Sequence, residues 1–261
     1  MSRLLIFGPG FSARRIATLV EARGWAVDIV DRARFSDPEE VRASIRSASH
    51  ILSSVPPLGS HDPVLALYGE AIALAPAHWV GYLSSTGVYG DAGGAWVDES
   101  ASLDGQRGAR VQADLGWSAL REEVRIFRLP GIYGPGRSVL DKLRDGSAHR
   151  IDAPGHIFSR IHVDDLARGV VASFAGPSGV YHLADDAPAP QSDVIAYGAS
   201  LLGIDAPPPE PLESANLTPM ARSFYAASRR IANGKARRVL GWRPRYRDYK
   251  AGLGAIIAAE K

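Results

Sequence analysis

Two serines and a threonine stand just beyond an apolar run in this chain. Trp79-Val80-Gly81-Tyr82-Leu83 leads into Ser84-Ser85-Thr86 and then Gly87-Val88-Tyr89-Gly90-Asp91. A run that short, rich in aromatic and branched residues and stopped by glycine, reads as a buried strand with hydroxyls at its carboxyl end. Open α/β sheets bind ligands and do chemistry at that end of their strands. A hydroxyl there can donate to an oxygen on which charge develops, or it can satisfy backbone groups where the strand stops. A second pattern lies near the N-terminus, where Gly8-x-Gly10-x-x-Ala13 follows a short apolar run and opens a helical one. The first glycine allows a tight turn, and the second lets the backbone approach a pyrophosphate. The small third residue lets helix and sheet pack closely. Backbone N–H groups at Phe11 and Ser12 would then face the phosphates from a helix N-terminus.

The elements that must position these groups can be followed along the chain. Arg3 to Phe7, Ala26 to Val30, His50 to Val55, Trp79 to Ser85 and Val124 to Leu129 read as strands. Helical spacing through Ile16, Leu19 and Val20 ends at Arg23-Gly24. Asp37 as N-cap with Pro38 at the first helical position starts the next helix, and Asp62-Pro63 starts another. A further helix is expected from about Arg110 to Leu120. This alternation predicts an α/β fold with a doubly wound parallel sheet. Only Arg32 to Ser36 separate the second strand from its helix, so one βα unit of a full dinucleotide-binding half is expected to be trimmed or absent. After Pro130 the rhythm loosens. Val163-Asp164-Asp165 starts a helix with one of the aspartates as its cap, Val180 to Ala184 reads as a strand, and Ser192 to Leu202 as a helix. The expected division is a dinucleotide-binding core over 1–135 and a smaller substrate-binding portion over 136–261, with 156–185 returning to the core.

Composition narrows the class. The chain has 261 residues, 46% hydrophobic and 22% charged, which suits one α/β subunit with a substantial core. Thirty basic against 28 acidic residues give a net charge of +2, which predicts no strong attraction to nucleic acid or membrane. The absence of cysteine excludes disulfides and thiolate metal sites, and no metal site is expected. The start at Met1-Ser2-Arg3 is too short before the first strand for a signal peptide, and no apolar run approaches a membrane span, so a cytoplasmic protein is expected. One basic stretch, Arg229 to Arg245, carries seven Arg or Lys residues and no acid; it reads as a solvated helix face or as a rim for an anionic substrate.

Asp31 closes the second strand about 20 residues after the glycine turn, where an acid can bind the ribose hydroxyls of NAD. Arg32 follows and can pair with the 2′-phosphate of NADP. Carboxylate and guanidinium act on that phosphate with opposite sign; the expected cofactor is NAD(P), leaning to NADP.

The string Tyr82 to Asp91 resembles the Ser-Ser-x-x-Val-Tyr-Gly signature of extended short-chain dehydrogenase/reductases, the superfamily of sugar-nucleotide epimerases, dehydratases and related reductases. Arg128-Leu129-Pro130-Gly131-Ile132-Tyr133-Gly134-Pro135-Gly136 and Ser159 to Asp165 match further blocks, and the resemblance runs to Trp242. It implies that Ser85, helped by Thr86, holds the reacting oxygen. It also implies that Ser54, Val55 and Pro56 run under the cofactor beside Ser84, and that Gly131 and Ile132 flank the nicotinamide. The family's Tyr-x-x-x-Lys is missing. Counted from Asp114, the tyrosine position holds Gln106, which cannot transfer a proton, and the lysine position holds Arg110. An arginine stays charged at any working pH, so Arg110, or alternatively Arg160, is expected to bind an anion rather than move a proton. Tyr89 and Tyr133 are the phenols left in nearby loops; the literal match at Tyr246 to Lys250 lies beyond the family's tail and reads as a decoy. SVPP, LSSTGVYGD, WVDE, FSRIHVDDLA and SFYAASRRIAN together look like the atypical subgroup similar to the bacterial YeeZ protein. The expected function is therefore an NAD(P)-dependent oxidoreductase acting on a small polar substrate. The alternatives are a dinucleotide-binding sensor or, further off, a sugar-nucleotide epimerase or dehydratase. The resemblance is compatible with a homodimer.

Overall fold

Alternation along the first strand sets the layers. In β1 (Arg3–Phe7), Leu4 and Ile6 enter one core while Leu5 and Phe7 enter another on the opposite side. A strand buried on both faces needs a helix layer on each. The computed structural model, which describes residues 2–104 and 108–260, supplies both layers. Helices α1 (Phe11–Glu21) and α6 (Val163–Ala172) cover one face through Ile16, Val20, Leu166 and Val170. Helices α2 (Pro38–Ser47), α3 (Pro63–Ala73) and α4 (Gly108–Leu120) cover the other through Val41, Ile45, Tyr68, Ile72 and Trp117.

Between these layers lies one six-stranded sheet. With β2 (Ala26–Val30), β3 (His50–Ser53), β4 (Trp79–Ser85), β5 (Val124–Leu129) and β6 (Gly179–His182), its order is β6-β5-β4-β3-β1-β2, and every pair is parallel. This is the expected Rossmann-type doubly wound fold, with β2 at one edge and β6 at the other. The chain crosses from β2 through α2 directly to β3 on the far side of β1, so the trimmed βα unit is real. The crossing puts the topological switch between β1 and β3, where such sheets open a ligand crevice beyond the strand ends.

Asp37 and Asp62 cap α2 and α3 as expected, accepting from Glu40 N and from Val64 and Leu65 N, with proline next in each helix. The aspartate cap expected for α6 is not there. His162 takes the position, its Nδ1 accepting from Asp164 N. Asp165 instead accepts from the backbone N–H groups of Arg245 and Tyr246, and Asp164 pairs with Arg15. The third strand ends at Ser53 rather than Val55, and the last at His182 rather than Ala184.

After β5, residues Gly131–Tyr133 pair in parallel with Arg160–His162. Helices α5 (Val139–Arg144), α7 (Gln191–Leu202) and α10 (Tyr249–Ala259) enclose a separate smaller core with Tyr133, Leu140, Ile195 and Leu253. Two short helices, α8 (Pro219–Phe224) and α9 (Gly234–Val239), lie along the chain between α7 and α10. The basic stretch around α9 forms no single face. Arg229 and Arg230 donate to the carbonyls of Gly90 and Gly94, and Arg237 pairs with Asp186.

Candidate active site

The glycine turn is built for a close approach. Gly8 has φ +86°, a left-handed value that a side chain would strain, and a β-carbon there would meet Val55 Cγ2 at 2.9 Å. Ser54 locks the turn from the next strand, its Oγ donating to the Gly8 carbonyl at 2.7 Å. Gly10 differs: its φ is an ordinary −71°, and a β-carbon would meet only Ser54 Oγ, 4.0 Å away. Nothing in the protein needs glycine at position 10, so the open space in front of it is what a bulkier residue would fill. Gly10 is also the N-cap of α1, and neither a capping side chain nor a first-turn acid satisfies the helix's leading N–H groups. Helices α2 and α3 have both their caps filled by aspartate. Free donors, a positive helix end and an unfilled approach fit a pyrophosphate. Ala13 is buried against the sheet, as the tight packing requires. Phe11 sits at the mouth with the Arg137 guanidinium 5.4 Å over its ring, a contact that its place in the turn did not announce. Ser12 is buried, and Val55 and Pro56 lie beyond the end of β3.

At the end of β2, Asp31 is exposed and its Oδ1 accepts from Ala33 N and Arg34 N, both at 3.0 Å. Arg32 is exposed beside it. The engaged arginine is Arg34, which spans Asp28 and Glu40 at 2.5 and 2.8 Å.

Ser84 and Ser85 separate because successive side chains of a strand point to opposite faces. Ser84 is buried toward α4 and donates to Asp114 Oδ2 at 2.6 Å. Ser85 is half-buried on the other face, and its Oγ accepts from Gly87 N at 3.1 Å. An accepted bond leaves the Ser85 O–H hydrogen free to donate. Thr86 is buried at the start of the short turn Thr86–Tyr89.

Ser84, Arg128 and His182 are direct cross-strand neighbours in one row across β4, β5 and β6. Arg128 makes a bidentate pair with Asp114, Nε to Oδ2 at 3.0 Å and a terminal nitrogen to Oδ1 at 2.7 Å. Its other terminal nitrogen donates to the Tyr89 oxygen at 2.8 Å. The Tyr89 hydroxyl meets His182 Nε2 at 2.6 Å, and His182 Nδ1 meets the Ala232 carbonyl at 3.0 Å. A carbonyl cannot donate, so Nδ1 carries the imidazole proton and Tyr89 must donate to Nε2. Burial pushes the Tyr89 phenol up to about 12, against the opposing pull of Arg128. Its proton is committed inward. Tyr133 is buried too, its hydroxyl packed against Gly252 of α10, and burial raises its pKa strongly. Neither phenol faces the glycine turn as a ready acid.

Arg110 is half-buried on α4, close enough to Tyr82 to oppose the rise that burial imposes on that phenol. Gln106 lies outside the described residues. Arg160 is not available to an anion: its guanidinium donates to the carbonyls of Phe158 and Ala189 and to Gln191. Gly131 N donates to the Ser159 carbonyl, and Ile132 packs against the main core. The Tyr246 to Lys250 match resolves into a ring against His162 and, at Asp248, the cap of α10. Among the described residues no cluster of His, Asp or Glu could hold a metal, and no helix is long and apolar enough to cross a membrane.

Sheet order, the switch point and the glycine turn together define a Rossmann-type α/β fold. The human epimerase family protein SDR39U1, solved with NADPH, has this fold with a TM-score of 0.79 and 19% identity, over 98% of this chain and 99% of that one. A functionally unknown conserved protein from Silicibacter pomeroyi DSS is much nearer, at 42% identity and a TM-score of 0.90 over 99% of both chains. The chain belongs to the same family as that protein. It is also 33% identical over 144 residues to a 3-diazoavenalumate denitrifying reductase from a Streptomyces species. That match takes in 49% of this chain and 45% of the reductase, so the chain spans about half the length of the curated relative it matches. No model of a known protein family matches the chain.

Proposed function

We propose that this protein is an NAD(P)-dependent oxidoreductase of the atypical extended short-chain type, acting on a small polar substrate. The observation that carries this reading is the uncapped start of α1 behind Gly8 and Gly10, with Ser54 and Val55 closing the turn from across the switch point. The NADPH complex of the human neighbour and the reductase activity named for the Streptomyces relative support it. The finer likeness, to proteins similar to bacterial YeeZ, rests on the motif combination alone.

On this reading the N–H groups of Phe11 and Ser12 hold the pyrophosphate, and Gly131 and Ile132 flank the nicotinamide. NADP is the form we favour. Asp31 spends one carboxylate oxygen on two backbone N–H groups, while the exposed Arg32 keeps a charge that a 2′-phosphate would meet. When bound, the dinucleotide supplies or accepts a hydride. Ser85 donates its O–H to the substrate oxygen on which charge develops, beside Thr86, and Arg110 offers a fixed positive charge to an anionic group.

The test is titration of the purified chain with NAD, NADH, NADP and NADPH, by thermal shift and calorimetry. A ligand at about 100 times its dissociation constant stabilises the fold by about 2.7 kcal/mol. Binding of the NADP pair alone is the expected result. No binding by any of the four forms would overturn the reading.

A further inference from the structure

Arg15, Arg34 and Arg128 each have a carboxylate partner. Arg137 is exposed, joins no ion pair among the described residues, and lies 5.4 Å over the ring of Phe11, the first residue of α1. The acid nearest to it in sequence, Asp141, is already engaged, its Oδ2 accepting from Ser138 N and from Ser138 Oγ at 2.7 Å each. An uncompensated cation therefore stands at the start of a helix whose own end is positive.

Its placement is fixed from both sides. Gly134 N donates to the Arg137 carbonyl at 3.1 Å and Arg137 N to the Gly134 carbonyl at 3.0 Å, closing a tight turn through Gly136, whose φ is +73°. The capping box of Ser138 and Asp141 then holds the next residue at the start of α5. Phe11 is wedged against the same turn: a β-carbon at Gly134 would stand 3.2 Å from Phe11 Cζ and 2.6 Å from Val163 Cγ1. A guanidinium over a ring is attracted through its flat face. Its N–H donors lie in its plane and stay free for an anion.

Ser12 adds a neutral donor. Side chains of a helix lean toward its N-terminus, so those of Phe11 and Ser12 lean toward Gly10. Ser12 is only 9% exposed and its Oγ has no hydrogen-bond partner among the described residues, yet that oxygen is not sealed from solvent. The leading N–H groups of α1 likewise have neither a side-chain cap nor a first-turn acid. Amide donors, a hydroxyl and a guanidinium thus gather at one helix start with no carboxylate among them. A ligand with several anionic oxygens uses all three kinds of donor, and a guanidinium takes two phosphate oxygens at once.

We propose that Arg137 and the Ser12 hydroxyl complete a diphosphate grip at the start of α1, Arg137 supplying the charge that the amide groups lack. As the pyrophosphate grip of a dinucleotide site it rests on the oxidoreductase reading above; as a diphosphate site it stands alone. The test is calorimetric titration of wild-type, Arg137→Ala and Arg137→Lys chains with NADPH, inorganic pyrophosphate and adenosine 2′-monophosphate, which has no pyrophosphate. Arg137→Ala should weaken NADPH and pyrophosphate by about 10- to 100-fold, the worth of a charged hydrogen-bond donor, and leave adenosine 2′-monophosphate unchanged. Arg137→Lys keeps the charge without the fork and should recover part of the loss. Added salt should weaken NADPH less in Arg137→Ala than in the wild type. A role confined to holding Phe11 would leave that salt response unchanged and overturn the proposal. Weakening of adenosine 2′-monophosphate by the same factor would also overturn it, by assigning Arg137 to the 2′-phosphate. NADPH affinity untouched by Arg137→Ala would sink the grip and keep the oxidoreductase. Pyrophosphate binding that depends on Arg137, without binding of any dinucleotide, would do the reverse.

Discussion

Removing Asp114 should unfold this protein more readily than removing any surface charge, and the size follows from its surroundings. The Asp114 side chain has 0% exposure and that of Arg128 5%. Asp114 accepts three hydrogen bonds, one from Ser84 and two from Arg128. Asp114→Ala strips the guanidinium of its carboxylate partner while leaving it buried, with the Tyr89 hydroxyl beside it. Breaking a buried pair from one side costs about 3–5 kcal/mol, because the remaining charge is uncompensated. For a chain of this size that corresponds to a melting temperature lowered by roughly 6–20 °C. Arg128→Met should cost a similar amount. The double variant, with no buried charge left over, should lose clearly less than the two singles combined, by about 2 kcal/mol or more. The assay is denaturant unfolding of all four proteins by circular dichroism, with the slopes compared for constancy. A single variant costing under about 1 kcal/mol, or costs additive to within about 0.5 kcal/mol, would refute the pairing argument.

Gly10→Ala should lower stability by no more than about 1 kcal/mol, the loss of a glycine N-cap, since its β-carbon meets nothing closer than 4.0 Å, yet weaken dinucleotide binding in the same calorimetric titration. Gly8→Ala should instead cost about 1–2 kcal/mol of stability from its left-handed backbone alone, seen in the same unfolding assay. Ser85→Ala should lower turnover about 10²-fold if its hydroxyl is the main donor to the reacting oxygen; an unchanged rate removes it from the mechanism. His50 is held down to about 4 by burial, with His78 nearby adding to the effect. The unfolded chain therefore takes up a proton between pH 6.5 and 4 that the folded chain refuses. Stability from this group is intact above pH 6.5 and falls by up to about 3 kcal/mol toward pH 4, a slope that His50→Phe should flatten in pH-resolved melts. Asp185, pushed up to about 8 by burial, has the opposite sign. Its contribution is full below pH 4 and lost as pH rises through 8, so Asp185→Asn should raise the melting temperature at pH 8 and leave it unchanged at pH 4.

What could be read from the sequence was whatever short-range patterns dictate. The strands Arg3–Phe7, Ala26–Val30 and Val124–Leu129 are apolar runs stopped by Gly8, Asp31 and Pro130, and Trp79–Ser85 is one that runs into hydroxyl residues, so their limits needed no tertiary information. Asp37 with Pro38 and Asp62 with Pro63 mark helix starts by local chemistry alone. The failures all involve partners far along the chain. Asp165 leaves its expected cap because Arg245 and Tyr246 bring their N–H groups to it from 80 residues away. The third strand stops at Ser53 because Ser54 turns to bond Gly8, 46 residues earlier. Arg160 looks like an anion ligand in sequence and is spent on carbonyls supplied by its own fold.

The hydroxyl pair at the end of β4 shows how little separates a structural residue from a chemical one. Ser84 and Ser85 are identical in type and adjacent, but the period of two sends one toward α4 and the other to the opposite face. Ser84 then finds Asp114, and the row through Arg128, Tyr89 and His182 fixes the carboxyl ends of three strands. That row contains a phenol beside a cation, the pairing the missing Tyr-x-x-x-Lys would have supplied, yet it faces inward. Its proton is donated to His182 and its pKa is raised to about 12. A group so committed cannot serve as the acid in turnover near neutral pH. What it can do is hold the Thr86–Tyr89 turn still, and with it the Ser85 oxygen that accepts from Gly87. On the proposed reading the chemistry falls to Ser85, whose Oγ accepts from Gly87 N and keeps its own O–H to donate.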